Sequence, residues 1–99
     1  MEIRKEHQDG KLVVALAGRL DAMSAPELDM ALQEELEGVK ELVFDFADLV
    51  YIASAGLRTL LAAQKRMNKQ GSMTMRHVQD AVMEVLSMTG FDDLLSIEK

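Results

Sequence analysis

Ser54 is the residue whose type and setting most readily suggest chemistry. It follows a short apolar run and a loop, at the predicted start of a helix, and Gly56 two positions later lets the backbone approach closely. A serine at this place has two interpretations. It is either a functional hydroxyl at the edge of a sheet or only a helix cap that accepts a hydrogen bond from a free N–H group.

The segment does not have the pattern of a serine hydrolase. In the G-x-S-x-G turn of those enzymes a glycine precedes the serine by two positions, where this chain has Ile52. Only His7 and His77 could act as the base. We therefore expect the protein not to be an enzyme.

Three carboxylates, Asp21, Asp45 and Asp48, are the remaining candidates for a polar site. A divalent cation needs several hard oxygen ligands, but the spacing of these residues follows no metal-binding pattern. The chain has no cysteine and no glycine-rich phosphate loop. We therefore expect no metal and no cofactor, and interpret the aspartates as turn and strand-end residues.

Length and composition predict one soluble α/β domain over residues 1–99. Hydrophobic residues make up 48% of the chain, and no apolar run approaches the 18 residues of a membrane span. Met1–Lys5 leads into a charged segment rather than a signal peptide. The net charge of −6 argues against nucleic-acid binding. We expect a cytoplasmic protein without direct membrane insertion, and its oligomeric state stays open.

The charges are unevenly distributed along the chain. Residues 49–79 contain five basic residues and no acidic one, whereas residues 1–48 contain twelve acidic and five basic residues. Such polarity could orient a partner during encounter. The alternative is that the basic residues simply form a solvated helix face.

Turn and capping signals predict the first half of the fold. Asp9-Gly10 is typical of a two-residue hairpin turn between strands Glu2–Gln8 and Lys11–Ala17. The continuous apolar run in Lys11–Ala17 indicates a central strand covered on both faces. Ser24 and Glu27 form a capping-box pattern that predicts a helix over Ser24–Glu37.

The second half alternates between strands and helices. The predicted elements are a strand at Glu41–Phe46, a loop from Asp48 to Ile52, a helix at Ser54–Gln70, a strand at Ser72–Arg76, a helix at Val78–Thr89 and a last short strand at Leu94–Ile97. Together they predict a mixed sheet of four to five strands with three main helices packed on it. Functional residues are expected where loops leave the carboxyl ends of parallel strands, which would place Asp21, Asp45, Asp48 and Ser54 on one shared rim.

Eight methionines are many for this length. Methionine usually fills gaps in a hydrophobic core. We expect this role for five of them: Met67, Met73, Met75, Met83 and Met88. Met23 and Met30 flank the acidic first helix. They belong either to the core or to an adaptable contact surface.

Several segments together resemble the STAS domain family, which includes sulfate transporters and anti-sigma factor antagonists. The most specific is the run Phe44–Ile52 followed by Ser54–Leu57, which is similar to the strand, loop and D-S-S-G-L helix start of that family. Further similar segments are Gly18–Asp21 with Ser24–Leu28, Lys69–Gly71 and Met88–Phe91. The resemblance covers nearly the whole chain and implies the STAS fold.

The resemblance also implies a function. It suggests a non-catalytic regulatory module, an anti-sigma factor antagonist that binds an anti-sigma factor kinase and is switched off when Ser54 is phosphorylated. Two residues depart from the pattern: Ala53 replaces a frequent aspartate, and Ala55 replaces a frequent second serine. The alternative is a soluble STAS subunit of an ABC-type lipid transport complex.

The expected partner surface combines the loops that precede the first and second helices. Its residues are Asp21, Met23, Ser24, Asp48, Ser54, Gly56, Leu57 and Arg58.

Overall fold

The structure, a computed structural model, describes residues 1–98. Its elements are β1 (Glu2–Gln8), β2 (Lys11–Leu20), α1 (Ala25–Glu35), β3 (Glu41–Ile52), α2 (Ser54–Met67), β4 (Ser72–Arg76), α3 (Asp80–Met88) and a short 3-10 turn (Phe91–Asp93). The strands form one sheet in the order β1-β2-β3-β4, antiparallel between β1 and β2 and parallel elsewhere. The mixed α/β fold with three helices is therefore confirmed.

The hairpin at Asp9-Gly10 forms as predicted. Both residues have positive φ, 47° for Asp9 and 82° for Gly10. Two positive φ angles match the twist of the flanking strands, and glycine adopts such an angle at little steric cost. Gln8 and Lys11 consequently pair directly across the turn.

The helices cover one face of the sheet, and the other, the open face, is only partly covered, with Val43 of β3 buried there. Leu12, Val14 and Leu16 of β2 are fully buried in the same core cluster as residues of all three helices. Val13 and Ala15, which alternate with them, are only half-buried. The predicted burial of this strand on both faces was wrong, because the apolar run reflects small or β-branched residues on the open face rather than a second layer of helices.

β3 is longer than its apolar run suggested. The segment from Asp48 to Ile52 continues the strand instead of forming a loop, which corrects the sequence-based interpretation. β2 extends to Leu20 and provides the pairing partner. Two register shifts, between Ala15 and Ala17 and between Gly18 and Arg19, each place one extra residue in β3 and disturb the alternation that a sequence pattern relies on.

Each helix is shorter than predicted. The observed helices are Ala25–Glu35, Ser54–Met67 and Asp80–Met88, against the predicted Ser24–Glu37, Ser54–Gln70 and Val78–Thr89. Turn hydrogen bonds replace the last helical ones after α2, where Lys69 N–H donates to the Arg66 carbonyl. Gln79 is extended (φ −72°, ψ 155°), so α3 starts later than its apolar residues indicated.

The carboxyl-terminal segment contributes less than a strand. Instead of the predicted Leu94–Ile97 strand, one parallel bridge joins Ile97 to Met75 at the outer edge of β4.

Met67, Met73 and Met75 are buried as predicted and Met83 is half-buried, but Met88 is 79% exposed and is not a core residue. Within residues 1–98 no helix is long and apolar enough to cross a membrane.

Candidate functional site

β2 and β3 end side by side, and their ends form the candidate site. The Ala53 N–H donates to the Leu20 carbonyl at 2.9 Å, which joins the end of β3 to the end of β2. α1 begins five residues after Leu20, and α2 begins at Ser54. The turn Asp21–Ser24 and the start of α2 therefore lie at the same end of the sheet.

Ser24 anchors the turn before α1 rather than capping the helix. Its hydroxyl donates to the Arg19 carbonyl at 2.8 Å and accepts from the Asp21 N–H at 2.9 Å. No side-chain cap hydrogen bond forms at α1. The capping-box prediction for Ser24 and Glu27 was wrong, because Ser24 has a helical backbone conformation and its hydroxyl points back to β2.

The Asp21 carboxylate completes this turn. It accepts from the N–H groups of Met23 at 3.1 Å and Ser24 at 3.2 Å. Partial burial alone would raise the pKa of Asp21, but these hydrogen bonds and Arg19 outweigh burial and lower it overall. The carboxylate thus stays charged and holds a tight turn, on which Met23 is presented with 90% of its surface exposed.

Ser54 is the first helical residue of α2 and is exposed. The N-cap is Ala53, with extended backbone angles (φ −113°, ψ 175°), and no side chain in the described part of the chain caps the helix. The interpretation of Ser54 as a helix cap was therefore wrong. Ser54 thus lies exposed at the amino end of a 14-residue helix.

Three residues expected at the partner surface are buried. Ser24 is 8% exposed, Leu57 is 3% exposed, and Gly56 packs against the end of β2. A Cβ atom added at Gly56 would lie 2.6 Å from the Leu20 Cγ atom. The glycine therefore permits the close approach that positions the start of α2, and none of the three offers a side chain to solvent.

Asp45 and Asp48 lie on the open face of the sheet rather than on the rim. Asp48 pairs with Ala17 inside the strand, so its predicted loop position was wrong. Asp45 contacts Arg76 at 3.5 Å and His77 at 3.1 Å. Burial would raise the pKa of Asp45, but the Ala47 N–H and the two cationic neighbours, His77 when protonated, lower it overall.

A groove of about 300 Å³ separates α1 from α2 next to the rim. Its lining residues are Ala22, Ala25, Pro26, Asp29, Ala55, Arg58, Thr59 and Ala62. Sequence reasoning identified Arg58 but missed the groove itself. The sequence feature that could have indicated the groove is the recurrence of small residues on the facing sides of α1 and α2, which leaves space between the two helices.

Arg58 brings a positive charge to this groove. It is exposed on α2, one helical turn after Ser54, and Asp29 lies on the opposite wall. The rim therefore combines an exposed methionine, an exposed serine hydroxyl and an arginine beside a shallow groove. This arrangement is suited to contact with another protein.

The comparisons with known proteins agree with this fold. The family model described as "Mlab, STAS domain" matches residues 3–96. The protein BtrV of Bordetella bronchiseptica is named a putative anti-sigma factor antagonist. It is 31% identical over 93 residues, which cover 92% of this chain and 80% of that protein. The anti-sigma F factor antagonist of Paenibacillus polymyxa is 29% identical over 100 residues, covering 98% and 86%.

A solved structure shows the same architecture. The crystal structure of an anti-sigma factor antagonist from Mycobacterium paratuberculosis superposes with a TM-score of 0.87 at 25% identity, and the match covers 97% of this chain and 83% of that one. Fold, family model and relatives agree over nearly the full length. The chain belongs to the STAS domain family and resembles bacterial anti-sigma factor antagonists.

Proposed function

We propose that this protein is an anti-sigma factor antagonist, a non-catalytic module that binds an anti-sigma factor kinase and is released by phosphorylation of Ser54. The observation that carries the proposal is the exposed Ser54, whose hydroxyl makes no cap hydrogen bond within residues 1–98, at the end of the sheet where Met23 is also exposed. The similarity to named antagonists supports the class of partner.

The proposed contact surface consists of exposed residues held by buried ones. Met23, Ser54 and Arg58 offer side chains to the partner. Asp21 and Ser24 hold the turn that carries Met23, while Gly56 and Leu57 fix the start of α2. Asp48 is exposed on the open sheet face, and we propose for it only a contact at the periphery.

A phosphate on Ser54 would leave the fold intact and alter the surface. It adds a charge of about −1.5 to −2. The free N–H groups and the dipole at the start of α2 favour negative charge there. Against a partner packed on the same rim, the phosphate would add desolvation cost and repulsion. The modification therefore acts on binding rather than on folding.

The test measures the affinity of the purified anti-sigma factor for four forms of the protein: unmodified, Ser54→Ala, Ser54→Asp and phosphorylated at Ser54. We expect Ser54→Ala to bind like the unmodified protein, because the contact needs no phosphate. Ser54→Asp should bind more weakly and the phosphorylated form weakest, since a carboxylate carries less charge than a phosphate.

A matched control is Ser87→Asp, which adds the same charge at an exposed serine of α3. It should bind normally, and circular dichroism should show the same fold for all variants. Equal affinity of the phosphorylated and unmodified forms would rule out the switch.

The position of the contact surface has its own test. Met23→Ala and Arg58→Ala should each weaken partner binding more than Lys11→Ala or Glu98→Ala. Lys11 starts β2 at the opposite end of that strand, and Glu98 follows the bridge beside β4. Similar losses in all four variants, measured by calorimetry, would show that the rim is not the contact surface.

A second candidate function is a soluble STAS subunit of an ABC-type transport complex. The observation that favours it is Ala53, which precedes Ser54 where antagonists frequently have an aspartate. A pull-down from the native host with mass spectrometry separates the two. Co-purification of a kinase supports the antagonist, whereas an ATPase with a permease supports the transport subunit. A kinase that modifies Ser54 only in an Ala53→Asp variant would also favour the second candidate.

A further inference from the structure

We propose that Arg58 binds the phosphate on Ser54 within the same helix and thereby leaves the groove between α1 and α2. This inference rests on the proposed phosphorylation of Ser54 and adds the residue through which the phosphate changes the surface. Arg58 then has two partners: the second protein in the unmodified state and the phosphate in the modified state.

The helix geometry brings the two residues together. Ser54 and Arg58 are four positions apart in α2, so their Cβ atoms are separated by roughly 5–6 Å on one face. Helical side chains lean toward the amino end of the helix, so the Arg58 side chain can reach over the turn that contains Ser54. An anionic group four residues before a cationic one is also the favourable order for such a pair.

The charges around the pair favour the same contact. The first turn of α2 contains no acidic residue that would repel a phosphate or compete for Arg58. In residues 1–98, Arg58 forms no ion pair within 4.0 Å. The nearby acidic residue of the rim, Asp21, already accepts hydrogen bonds from its own turn. Asp29 is the acidic residue on the facing groove wall. Arg58 is thus an available cation, and its planar guanidinium can donate two parallel hydrogen bonds to a phosphate.

The expected consequence is a double change of the surface. The phosphate adds negative charge at Ser54, and the paired Arg58 no longer contributes a positive charge to the groove. Asp29 then remains as the acidic group on the opposite wall. One modification would in this way alter both the rim and the adjoining groove.

The test uses protein that carries phosphoserine at position 54, incorporated during translation so that no kinase is needed. Phosphorus NMR follows the second pKa of the phosphate, which is about 6 in the absence of a cation. We expect this pKa to be higher by about 0.2–0.4 units in Arg58→Ala than in the otherwise native phosphoprotein. The difference should shrink as the salt concentration rises, since the pair is exposed.

Two matched variants control for general effects. Arg58→Lys keeps the charge and should retain part of the shift. Arg66→Ala removes an arginine eight residues further along α2, roughly 12 Å along the helix axis, and should leave the phosphate pKa unchanged. An identical pKa in the native phosphoprotein and in Arg58→Ala would overturn the inference.

This readout needs no partner and is therefore independent of the proposed function. If the phosphate pKa responds to Arg58 but phosphorylation does not weaken anti-sigma factor binding, the proposed function fails and the inference stands. If binding weakens while the pKa ignores Arg58, the inference alone fails.

Discussion

At the scale of single residues, two serines next to helix starts have opposite roles. Ser24 is buried, and its hydroxyl both donates to β2 and accepts from the turn. Ser54 is exposed at a helix start that has no side-chain cap. Sequence alone suggested a cap at both positions. The difference arises because Ser24 folds back toward Arg19, whereas the extended Ala53 precedes Ser54 and takes the N-cap position.

This difference predicts unequal costs of removing each hydroxyl. Ser24→Ala leaves the Arg19 carbonyl and the Asp21 N–H without their partner, and should lower the free energy of unfolding by about 1–3 kcal/mol. Ser54→Ala removes no such bond and should change it by less than about 0.5 kcal/mol. Urea unfolding followed by circular dichroism measures both values. A larger loss in Ser54→Ala than in Ser24→Ala would contradict the observed hydrogen bonds.

At the scale of elements, the connection between α2 and β4 packs on the connection between α1 and β3, at the end of the molecule opposite the site. The Gln70 side-chain amide donates to the Leu36 and Val39 carbonyls, each at 2.7 Å. The Ser72 N–H donates to the Lys40 carbonyl at 2.9 Å. The link from α2 to β4 is therefore tied directly to the link from α1 to β3, which sets where both parallel strands begin.

Gly71 is the residue that permits this contact. A Cβ atom added there would overlap the Lys40 carbonyl oxygen, and a backbone group cannot move aside as a side chain can. Gly71→Ala should lower the free energy of unfolding by about 1–3 kcal/mol, the range typical of overpacking, or more.

Gly38→Ala is the matched control, since Gly38 has a φ of 81° but, among residues 1–98 and apart from its chain neighbours, no atom lies within 4 Å of an added Cβ. Its cost should be limited to about 1–2 kcal/mol for the left-handed conformation. Thermal unfolding in which Gly38→Ala is the more damaging of the two would contradict the packing.

At the scale of the whole molecule, the edge strand β1 is attached to the helical layer by polar contacts. Glu35, at the end of α1, accepts from Lys5 at 3.2 Å and forms a short contact with His7. The hydrogen bond to His7 is the largest cause that lowers the pKa of Glu35, followed by that to Lys5. β1 otherwise exposes most of its side chains, so this contact helps to fix the strand to α1.

The lowered pKa of Glu35 predicts a dependence of stability on pH. A carboxyl group with a lower pKa in the folded state stabilises that state above its unfolded pKa of about 4.5, and this contribution is lost as the pH falls through the folded value. Glu35→Gln should therefore lose less stability between pH 7 and pH 3 than the unmodified protein.

The control is Glu34→Gln, which changes an exposed neighbour on the same helix. Its stability should fall with acid as in the unmodified protein. Urea unfolding at several pH values checks both variants, and parallel curves for Glu35→Gln and the unmodified protein would show that the contact has no energetic role.

Local sequence signals determined much of the fold because their physics is local. The positive φ angles required at Asp9-Gly10 fix the first hairpin wherever the chain goes next. The apolar spacing of α2 places Leu57, Leu60 and Met67 in the core for the same reason. The segment around Ser54 was also sufficient to identify the family resemblance, since the residues that form its pattern are consecutive in the chain and can be recognised without the tertiary structure.

Only the tertiary structure decided which residues are exposed together. The residue types of Leu49–Ile52 favour a strand, but the two register shifts against β2 break the alternation there, so the full length of β3 is decided by its pairing with β2. The burial of Gly56 depends on the approach of Leu20, and the groove beside Arg58 depends on the packing of α1 against α2. Such features arise from contacts between residues distant in the chain. The sequence therefore determined the turn, the helix faces and the serine, whereas packing decided that Met23, Ser54 and Arg58 are offered at one end of the sheet.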